Sequence, residues 1–428
     1  MRRAILAALS PALLIAQGAG EERWNLHFQA TSIGQYHGSF PAAYSGPLSL
    51  ASHREAEVSL TSTLFFGLRV MRDTYVYFDP EVAGGRGFSN VTGVANFPNG
   101  EMPRVATATP KPYLARVYIT HDFAIGEARG KVESDEQQVG GSRPERRYSI
   151  TVGRFTVTDF FDNNRYSHDP RKQFMGWSTM YNGAWDYPAD TRGYTWGWVH
   201  ELHMKTWSVR YASAAEPRVA NGPRFDRRIL RDRGDVVEGE LRYQPGGHPG
   251  AVRALAYFNH SDSGSYPEAL KSAQPDIAAV HRAGTLKYGF GLNVEQEVAA
   301  SIGVFGRLGW NDGKTQSFAF AVIDRLASAG ISVNGAAWKR PNDTAASALT
   351  VTGISAVHGL YLARGGLDFM LGDGALRRGA EYVSESYYSA RLLRGFFATV
   401  NLQNIHNPAY NRDRGPVWVA SLRLHLEM

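Results

Sequence analysis

The last twelve residues of the chain hold apolar side chains at every even position, whereas the odd positions begin with Val417 and Val419 and then change in character. The even positions hold Trp418, Ala420, Leu422, Leu424, Leu426 and Met428. The odd positions become polar and charged from Ser421 to Glu427. Because successive side chains of a β-strand point to opposite faces, this segment predicts a strand with one wholly apolar face. A tilted strand of that length can cross a bilayer core of roughly 30 Å. The last strand of a soluble sandwich would alternate in the same way, so the rest of the chain must decide.

The alternation recurs along the chain and is clearest from Ala56 to Leu68 and from Tyr288 to Val294. Beyond the N-terminus no apolar run reaches the 18 residues of a membrane helix, which excludes a helical membrane protein. Loops as long as the Gly- and Pro-rich connection from Gly84 to Pro112 are uncommon in compact soluble domains. We therefore predict an all-β fold, a transmembrane antiparallel β-barrel with long extracellular loops and both termini on the periplasmic side. The chain has no cysteine, so hydrogen bonding and burial alone must hold it.

Counting the alternating segments gives seventeen strands, including Ser317 to Leu326 and Gly330 to Trp338 as two separate ones. Single-chain bacterial barrels close with an even number, so we predict 16 strands, with 18 as the alternative. One segment fits poorly: from Tyr148 to Val157, Arg154 falls in line with apolar Ile150, which indicates a bulge.

The N-terminus has the three-part layout of a secretory signal peptide. Arg2 and Arg3 precede an apolar run from Ala4 to Ile15, and small residues follow. We predict removal of residues 1–18, which leaves a barrel domain of residues 19–428 in the outer membrane of a Gram-negative bacterium. Losing the two arginines lowers the formal net charge from +6 to +4. Basic and acidic residues are interleaved, whereas a nucleic-acid binder clusters its basic residues, so a nucleic-acid partner is not expected.

The side of the predicted strands that is expected to face a water-filled lumen carries charges of both signs. The predicted pore-lining residues are Glu57, Arg69, Asp79, Glu81, Arg116, Glu201, Arg210, Glu238, Arg253, Arg307, Glu381 and Glu385. The opposite face carries the residues expected to touch outer-membrane lipid, which include Leu60, Leu64, Phe66, Phe290, Leu292, Leu422 and Leu424.

The densest polar and aromatic stretch runs from Asp159 to Tyr194. Amides, carboxylates and guanidinium groups can pair with sugar hydroxyls, and flat indoles can stack on the ring of a sugar. Arg165, Trp177 and Trp185 are therefore the candidate substrate contacts. A long loop that folds on itself, with turn-capping Asx residues and a small tryptophan core, would have the same composition.

Longer strings of residues resemble a known family, the carbohydrate-selective porins of the OprB type. They are Phe40-Pro41 with Tyr44-Ser45-Gly46-Pro47, Tyr77 to Glu81, Phe97-Pro98-Asn99-Gly100-Glu101, the stretch just described, Trp338 with Arg340-Pro341-Asn342-Asp343, Tyr361 to Gly366, Gly372-Asp373-Gly374, Tyr387-Tyr388, and Asn407 to Val417. The resemblance implies a 16-stranded porin for passive diffusion of carbohydrates, without a cofactor. It also implies that the barrel-assembly machinery recognises the C-terminal strand. Family members usually end in an aromatic residue, whereas this chain ends in Met428.

Other functions remain open from the sequence. A general or anion-preferring porin is the first alternative, given the many arginines. An outer-membrane hydrolase or binding protein is a remote one, because Glu381 and Glu385 could form a carboxylate pair. Asp159, Asp162 and the asparagines after it could gather oxygens for calcium, although their spacing is not that of a calcium loop.

Overall fold

A computed structural model of the chain describes residues 21–102, 107–318 and 322–428. The predicted signal peptide and its cleavage site near Gly18 lie outside these residues. The strands are β1 (Trp24–His37), β2 (Glu55–Met71), β3 (Thr74–Gly85), β4 (Lys111–Ala124), β5 (Arg129–Val132), β6 (Gly141–Pro144), β7 (Arg147–Phe155), β8 (Thr195–His203), β9 (Trp207–Ala215), β10 (Arg233–Tyr243), β11 (Gly250–Ser263), β12 (Arg282–Ala299), β13 (Ile302–Asn311), β14 (Arg325–Asn334), β15 (Thr344–Gly353), β16 (Glu381–Leu393), β17 (Phe396–His406) and β18 (Val417–Glu427). Within the described residues, three short α-helices lie between them: α1 (Trp177–Met180), α2 (Tyr266–Ala269) and α3 (Ala356–Ala363). Among the described residues, no helix has the length and apolar character needed to cross a membrane.

Sixteen of the strands found in the described residues close into one antiparallel barrel. β18 pairs with β1, with Gln29 opposite Glu427 and His37 opposite Val419. β5 and β6 stand outside the barrel as a separate two-stranded sheet, so β4 pairs directly with β7. Closure leaves no unpaired strand edge, which is the condition for a sheet in lipid. The predicted barrel of 16 strands is confirmed.

The two ends of the barrel differ in the length of their connections. Trp24 begins β1 at the end where Glu427 completes β18, and we name this the lower end and the opposite one the upper end. The long upper-end connections are residues 38–54, 86–110, 156–194, 216–232, 264–281 and 354–380. In the described residues, the longest lower-end connection is residues 125–146, which carry β5 and β6; the others are shorter, and residues 335–343 contain a single 3-10 turn.

The outer surface of the barrel is apolar. Leu60, Leu64, Phe290, Leu292, Leu422 and Leu424 are all exposed there, and Phe66 is half-buried. Exposed aromatic rings lie near the upper end at Tyr36, Trp196, Tyr382 and Trp418, and near the lower end at Trp24, Phe123, Tyr148 and Trp207. Two aromatic belts around an apolar band are typical of a transmembrane barrel. A soluble sandwich would place the apolar faces inside, so that alternative is excluded.

One predicted strand is wrong. Of the described residues between Ser317 and Leu326, only the last two belong to a strand, β14, which continues to Asn334. The apolar side chains that suggested a strand, Phe318, Val322 and Ile323, are buried at the upper end. Removing this segment from the count of seventeen gives the sixteen that the barrel contains.

The bulge expected in β7 is absent from the pairings of that strand. β7 pairs with β4 and with β8 without a shift in register, so Arg154 does share a face with Ile150. Its guanidinium group instead bends back at the upper end, where Nε donates to Leu114 O at 2.9 Å and Nη2 to Asp190 at 2.6 Å. A long side chain near a strand end can therefore keep its charge away from lipid without a bulge.

Candidate functional site

The polar and aromatic connection between β7 and β8, residues 156–194, folds into the barrel, and we name it the lumen loop. Glu385 on β16 accepts a hydrogen bond from Met175 N at 2.6 Å. Arg423 on β18 donates to Pro170 O at 2.7 Å. These strands lie across the barrel from β7 and β8, so the loop crosses the lumen.

Arg307 on β13 fixes the centre of the lumen loop. Its side chain is fully buried and donates to Asp162 Oδ1 at 3.1 Å, to Ser167 O at 2.5 Å and to Thr179 O at 3.2 Å. A buried guanidinium group with this many acceptors holds one loop conformation. Arg307 points inward as predicted, but it anchors the loop and does not border open space.

The described residues 86–102 of a second connection also turn inward, and Glu381 on β16 holds them. The carboxylate accepts from Ala95 N at 3.0 Å and from Asn96 N at 2.7 Å. The ring of Phe97 then stacks on Trp177 of the lumen loop, with 5.0 Å between ring centroids. The two inward loops thus pack on each other inside the barrel.

Trp177 and Trp185, two of the candidate substrate contacts, lie within the apolar core that these loops form. Their side chains are 2% and 1% exposed, and Trp185 packs edge-on against Phe161. Neither ring is open to a solute in this arrangement. Their contact with sugar stays a prediction that requires the loop to move.

Beside the lumen loop lies a cavity of about 630 Å³ with a mixed aromatic and charged lining. Its rings are Phe65, Tyr75, Tyr77, Tyr118, Phe160 and Tyr181; its cations include Arg116, Arg143, Arg147, Arg171, Lys172 and Arg210; its carboxylates are Asp135, Glu136, Asp159, Asp169 and Glu201. Of the predicted pore-lining residues, it therefore brings together Arg116, Glu201 and Arg210.

The arginines of this cavity are paired with carboxylates. Arg116 binds both carboxylate oxygens of Asp159, at 2.7 and 2.6 Å. Arg210 contacts Glu201 at 3.2 Å and both Glu238 and Glu240 at 3.1 Å. Each guanidinium group is thus held in place, and its positive charge is balanced locally.

Arg165 and Arg253 border a different opening, a cavity of about 570 Å³ among residues of the lower-end connections. Arg253 donates to Glu240 at 2.9 Å and lies 3.3 Å from Glu295. Arg165 is half-exposed and lies 3.5 Å from Glu297. The predicted residues are therefore divided between two openings.

The remaining predicted residues occupy the barrel wall. Asp79 is buried and accepts from Gln137 at 2.8 Å, and buried Glu81 accepts from Arg171 at 2.8 Å. Glu57 is half-buried toward the upper end, opposite Gln35. Arg69 is half-buried toward the lower end, where it forms an ion pair with Glu21.

Several cavity residues were not predicted as site residues. Tyr75 and Tyr77 lie on the lumen-facing side of β3, so the alternation of side chains along that strand is enough to predict that they face the lumen. Arg171 and Lys172 belong to the lumen loop, where no strand pattern indicates direction. Arg143 comes from β6, whose sequence, Gly-Ser-Arg-Pro, lacks an apolar alternation.

The residues behind the calcium and hydrolase alternatives make other contacts in the structure. In the part of the chain that the structure describes, no three His, Asp or Glu side chains are grouped to hold a metal ion. Asp162 instead accepts from Asn182 N at 2.7 Å as well as from Arg307. Glu381 and Glu385 each bind backbone amides of a different inward loop, so they do not act as a pair.

A histidine cluster joins three connections at the upper end. His358 on α3 lies 3.0 Å from Asp324 and 2.7 Å from Asp368, and its ring stacks on Tyr266 of α2. All four side chains are buried. Burial alone would lower the pKa of His358, but the two carboxylates outweigh it and raise the pKa to about 9. The imidazolium form thus ties the connections together at neutral pH.

The histidine cluster should loosen at high pH. Since the pKa of His358 is raised on folding, its contribution is complete below about 6.5, the pKa of a free histidine, and is lost as the pH rises through about 9. We expect residues 356–371 to exchange amide hydrogens faster in His358→Gln than in the wild type at pH 7. The difference should shrink above pH 9. A difference that stays constant from pH 7 to 10 would contradict this assignment.

Comparison with known proteins agrees with this geometry. The family model described as "Carbohydrate-selective porin, OprB family" matches residues 52–428. The high-pH structure of Pseudomonas putida OprB is 15% identical, with a TM-score of 0.70 over 95% of this chain and 94% of that one. Its low-pH structure is 12% identical, with a TM-score of 0.51 over 95% and 92%. Among curated proteins no relative matches in sequence. The chain therefore belongs to the OprB family of carbohydrate-selective porins, and it is an outer-membrane channel for the passive diffusion of carbohydrates and not an enzyme.

Proposed function

We propose that neutral sugars cross this barrel along the mixed cavity beside the lumen loop, where paired arginines and carboxylates meet the hydroxyl groups. The supporting observation is the position of Arg210, which contacts carboxylates on β8 and β10 within 3.2 Å. Held this way, the guanidinium group still has N–H groups available to donate, and carboxylate oxygens beside it can accept. A sugar hydroxyl needs both kinds of partner.

Aromatic rings would supply the second part of recognition. Tyr75, Tyr118 and Phe160 line the same cavity as Arg116 and Arg210. The C–H face of a sugar ring stacks favourably on such side chains. Each contact must stay weak, because a solute bound much more tightly than millimolar, about −4 kcal/mol, would leave the channel too slowly.

Charge pairing favours neutral solutes over anions. Arg116 and Arg253 both have carboxylate partners within 3.3 Å, so neither presents an unbalanced charge to a solute. An anion-preferring pore would need guanidinium groups that lack such partners. The general or anion-preferring porin is therefore the weaker alternative.

We also propose the export, the orientation and the contacts of the channel in the outer membrane. Residues 1–18 act as a signal peptide, and the lower end, with both chain termini, faces the periplasm. Barrel-assembly machinery recognises β18, and outer-membrane lipid contacts the apolar band. The apolar outer face of β18, with Leu422 and Leu424 exposed, supports both of these contacts.

Replacing Arg116 and Arg253 together by Ala should raise the ion conductance and weaken block by sugars. The double substitution widens both openings and removes donors that would bind hydroxyl groups. Single-channel recording in planar bilayers, with and without candidate sugars, measures both effects. Arg72→Ala is the matched control, because that side chain is 78% exposed at the turn between β2 and β3. If conductance and sugar block both equal those of the wild type, these residues do not line the pathway, and the sugar-binding assignment fails.

A further inference from the structure

The connection between β4 and β7, residues 125–146, folds into β5 and β6, and we name it the lower hairpin. Its strands pair from Arg129 opposite Pro144 to Val132 opposite Gly141. Other lower-end connections in the described residues are short, such as residues 72–73 and 394–395. The lower hairpin is therefore long enough to reach across this end of the barrel.

Two arginines fix the base of the lower hairpin to the barrel. Arg143 donates to the two carboxylate oxygens of Asp122 at 2.5 and 3.1 Å. Arg129 binds Asp73 in the same two-pronged way, at 3.1 and 2.5 Å. Paired contacts of this kind set direction as well as distance. The hairpin is thus held in one orientation relative to the barrel.

The tip of the lower hairpin enters the lumen. Gln137, with a left-handed φ of 49°, donates from Nε2 to Asp79 at 2.8 Å. Val139 is 3% exposed and belongs to the same buried cluster as Tyr77 on β3. Asn25 on β1 donates to Gln138 O at 2.8 Å. A non-glycine residue keeps a left-handed conformation only where its surroundings hold it, so the tip is an ordered part of the lumen.

The same tip forms one side of the 630 Å³ cavity. Asp135 and Glu136 line that cavity together with Arg116 and Lys172. The carboxylate of Glu136 lies 3.6 Å from the ammonium group of Lys172, which belongs to the lumen loop. The cavity is therefore bounded by the lumen loop on one side and by the hairpin tip on another.

We propose that the lower hairpin is a second constriction of the channel and that Asp135 and Glu136 act there as specificity-determining residues. Negative charge at this point lies beside the paired arginines of the cavity wall, where it disfavours anions and offers acceptors to sugar hydroxyls. The part about sugars rests on the proposed function, whereas the narrowing and the effect of charge apply to any ion that passes.

The absence of cysteine from the chain allows a direct test. Glu136→Cys introduces the one thiol of the protein at the tip, and a bulky, negatively charged methanethiosulfonate reagent then modifies it. Glu133→Cys is the matched control, because Glu133 lies on the same hairpin but is 79% exposed and outside the cavity lining. We expect modification to lower the single-channel conductance of Glu136→Cys and to leave that of Glu133→Cys unchanged. Mass spectrometry confirms that both thiols have reacted.

A second variant replaces residues 133–140 by Asn-Gly, a turn that suits the flanking strands β5 and β6. Its conductance should exceed that of the wild type, and its reversal potential in a KCl gradient should shift toward anion selectivity. The inference is overturned if modified Glu136→Cys conducts as before modification, or if the shortened hairpin conducts as the wild type. Absence of sugar block in the wild type would refute the proposed function instead, while these ion measurements would still decide the role of the hairpin.

Discussion

Arg307→Met should release the lumen loop and raise the single-channel conductance well above that of the wild type. The substitution keeps an apolar stem of similar length but removes the donors to Asp162, Ser167 and Thr179. Breaking a buried ionic contact by removing one partner costs about 3–5 kcal/mol, since the charge of the other partner is left buried without a counter-charge. The barrel itself should still close, because its hydrogen-bond ladder does not use this side chain.

The measurement combines conductance in planar bilayers with thermal unfolding in detergent. Arg282→Met serves as the control, because Arg282 is exposed at the start of β12. It should match the wild type in both assays. An Arg307→Met channel with the conductance and unfolding temperature of the wild type would show that other contacts suffice to hold the loop.

Leu292→Arg should lower the free energy of unfolding by about 2–4 kcal/mol in lipid vesicles, because a charge near the bilayer midplane loses its hydration. Leu292 lies in the interior of β12 and is exposed on the outer surface. Leu286→Arg, on the same face but near the upper end of that strand, should cost only about 0–1 kcal/mol. Equal costs for the two variants would mean that Leu292 does not face the hydrocarbon core.

Asn293, the neighbour of Leu292 in β12, illustrates the limit of an alternating pattern. The alternation of β12 correctly predicts that Asn293 faces inward, where a charge would be expected to be harmless. The side chain is in fact 3% exposed and donates to Asp162 Oδ1 at 2.7 Å. Parity gives the direction of a side chain, but not what fills the space in front of it.

The same limit applies to the predicted pore wall. Glu385 faces the lumen as its position in β16 predicts, yet it accepts hydrogen bonds from backbone amides of the lumen loop, 210 residues earlier in the chain, as well as from Asn401. Arg116 and Arg210 do border a cavity. No short-range sequence pattern distinguishes a side chain that anchors a loop from one that borders a cavity, because both outcomes depend on where a long loop folds. Trp177 and Trp185 show the limit of composition. The composition of the segment that contains them predicted a sugar-binding surface, but both rings pack into an apolar core.

Contacts of the lumen loop with β18 have a consequence for the order of assembly. Arg423 donates to Pro170 O across a separation of 253 residues, and β18 is also the strand that closes the barrel against β1. Contacts between residues so distant in sequence form slowly, because closing the intervening loop costs conformational entropy. The strand that closes the barrel therefore also holds the lumen loop in place. A barrel in which β18 has not yet paired with β1 would be open to lipid and more permeable to solutes. Closure of the barrel and narrowing of its lumen therefore depend on the same strand.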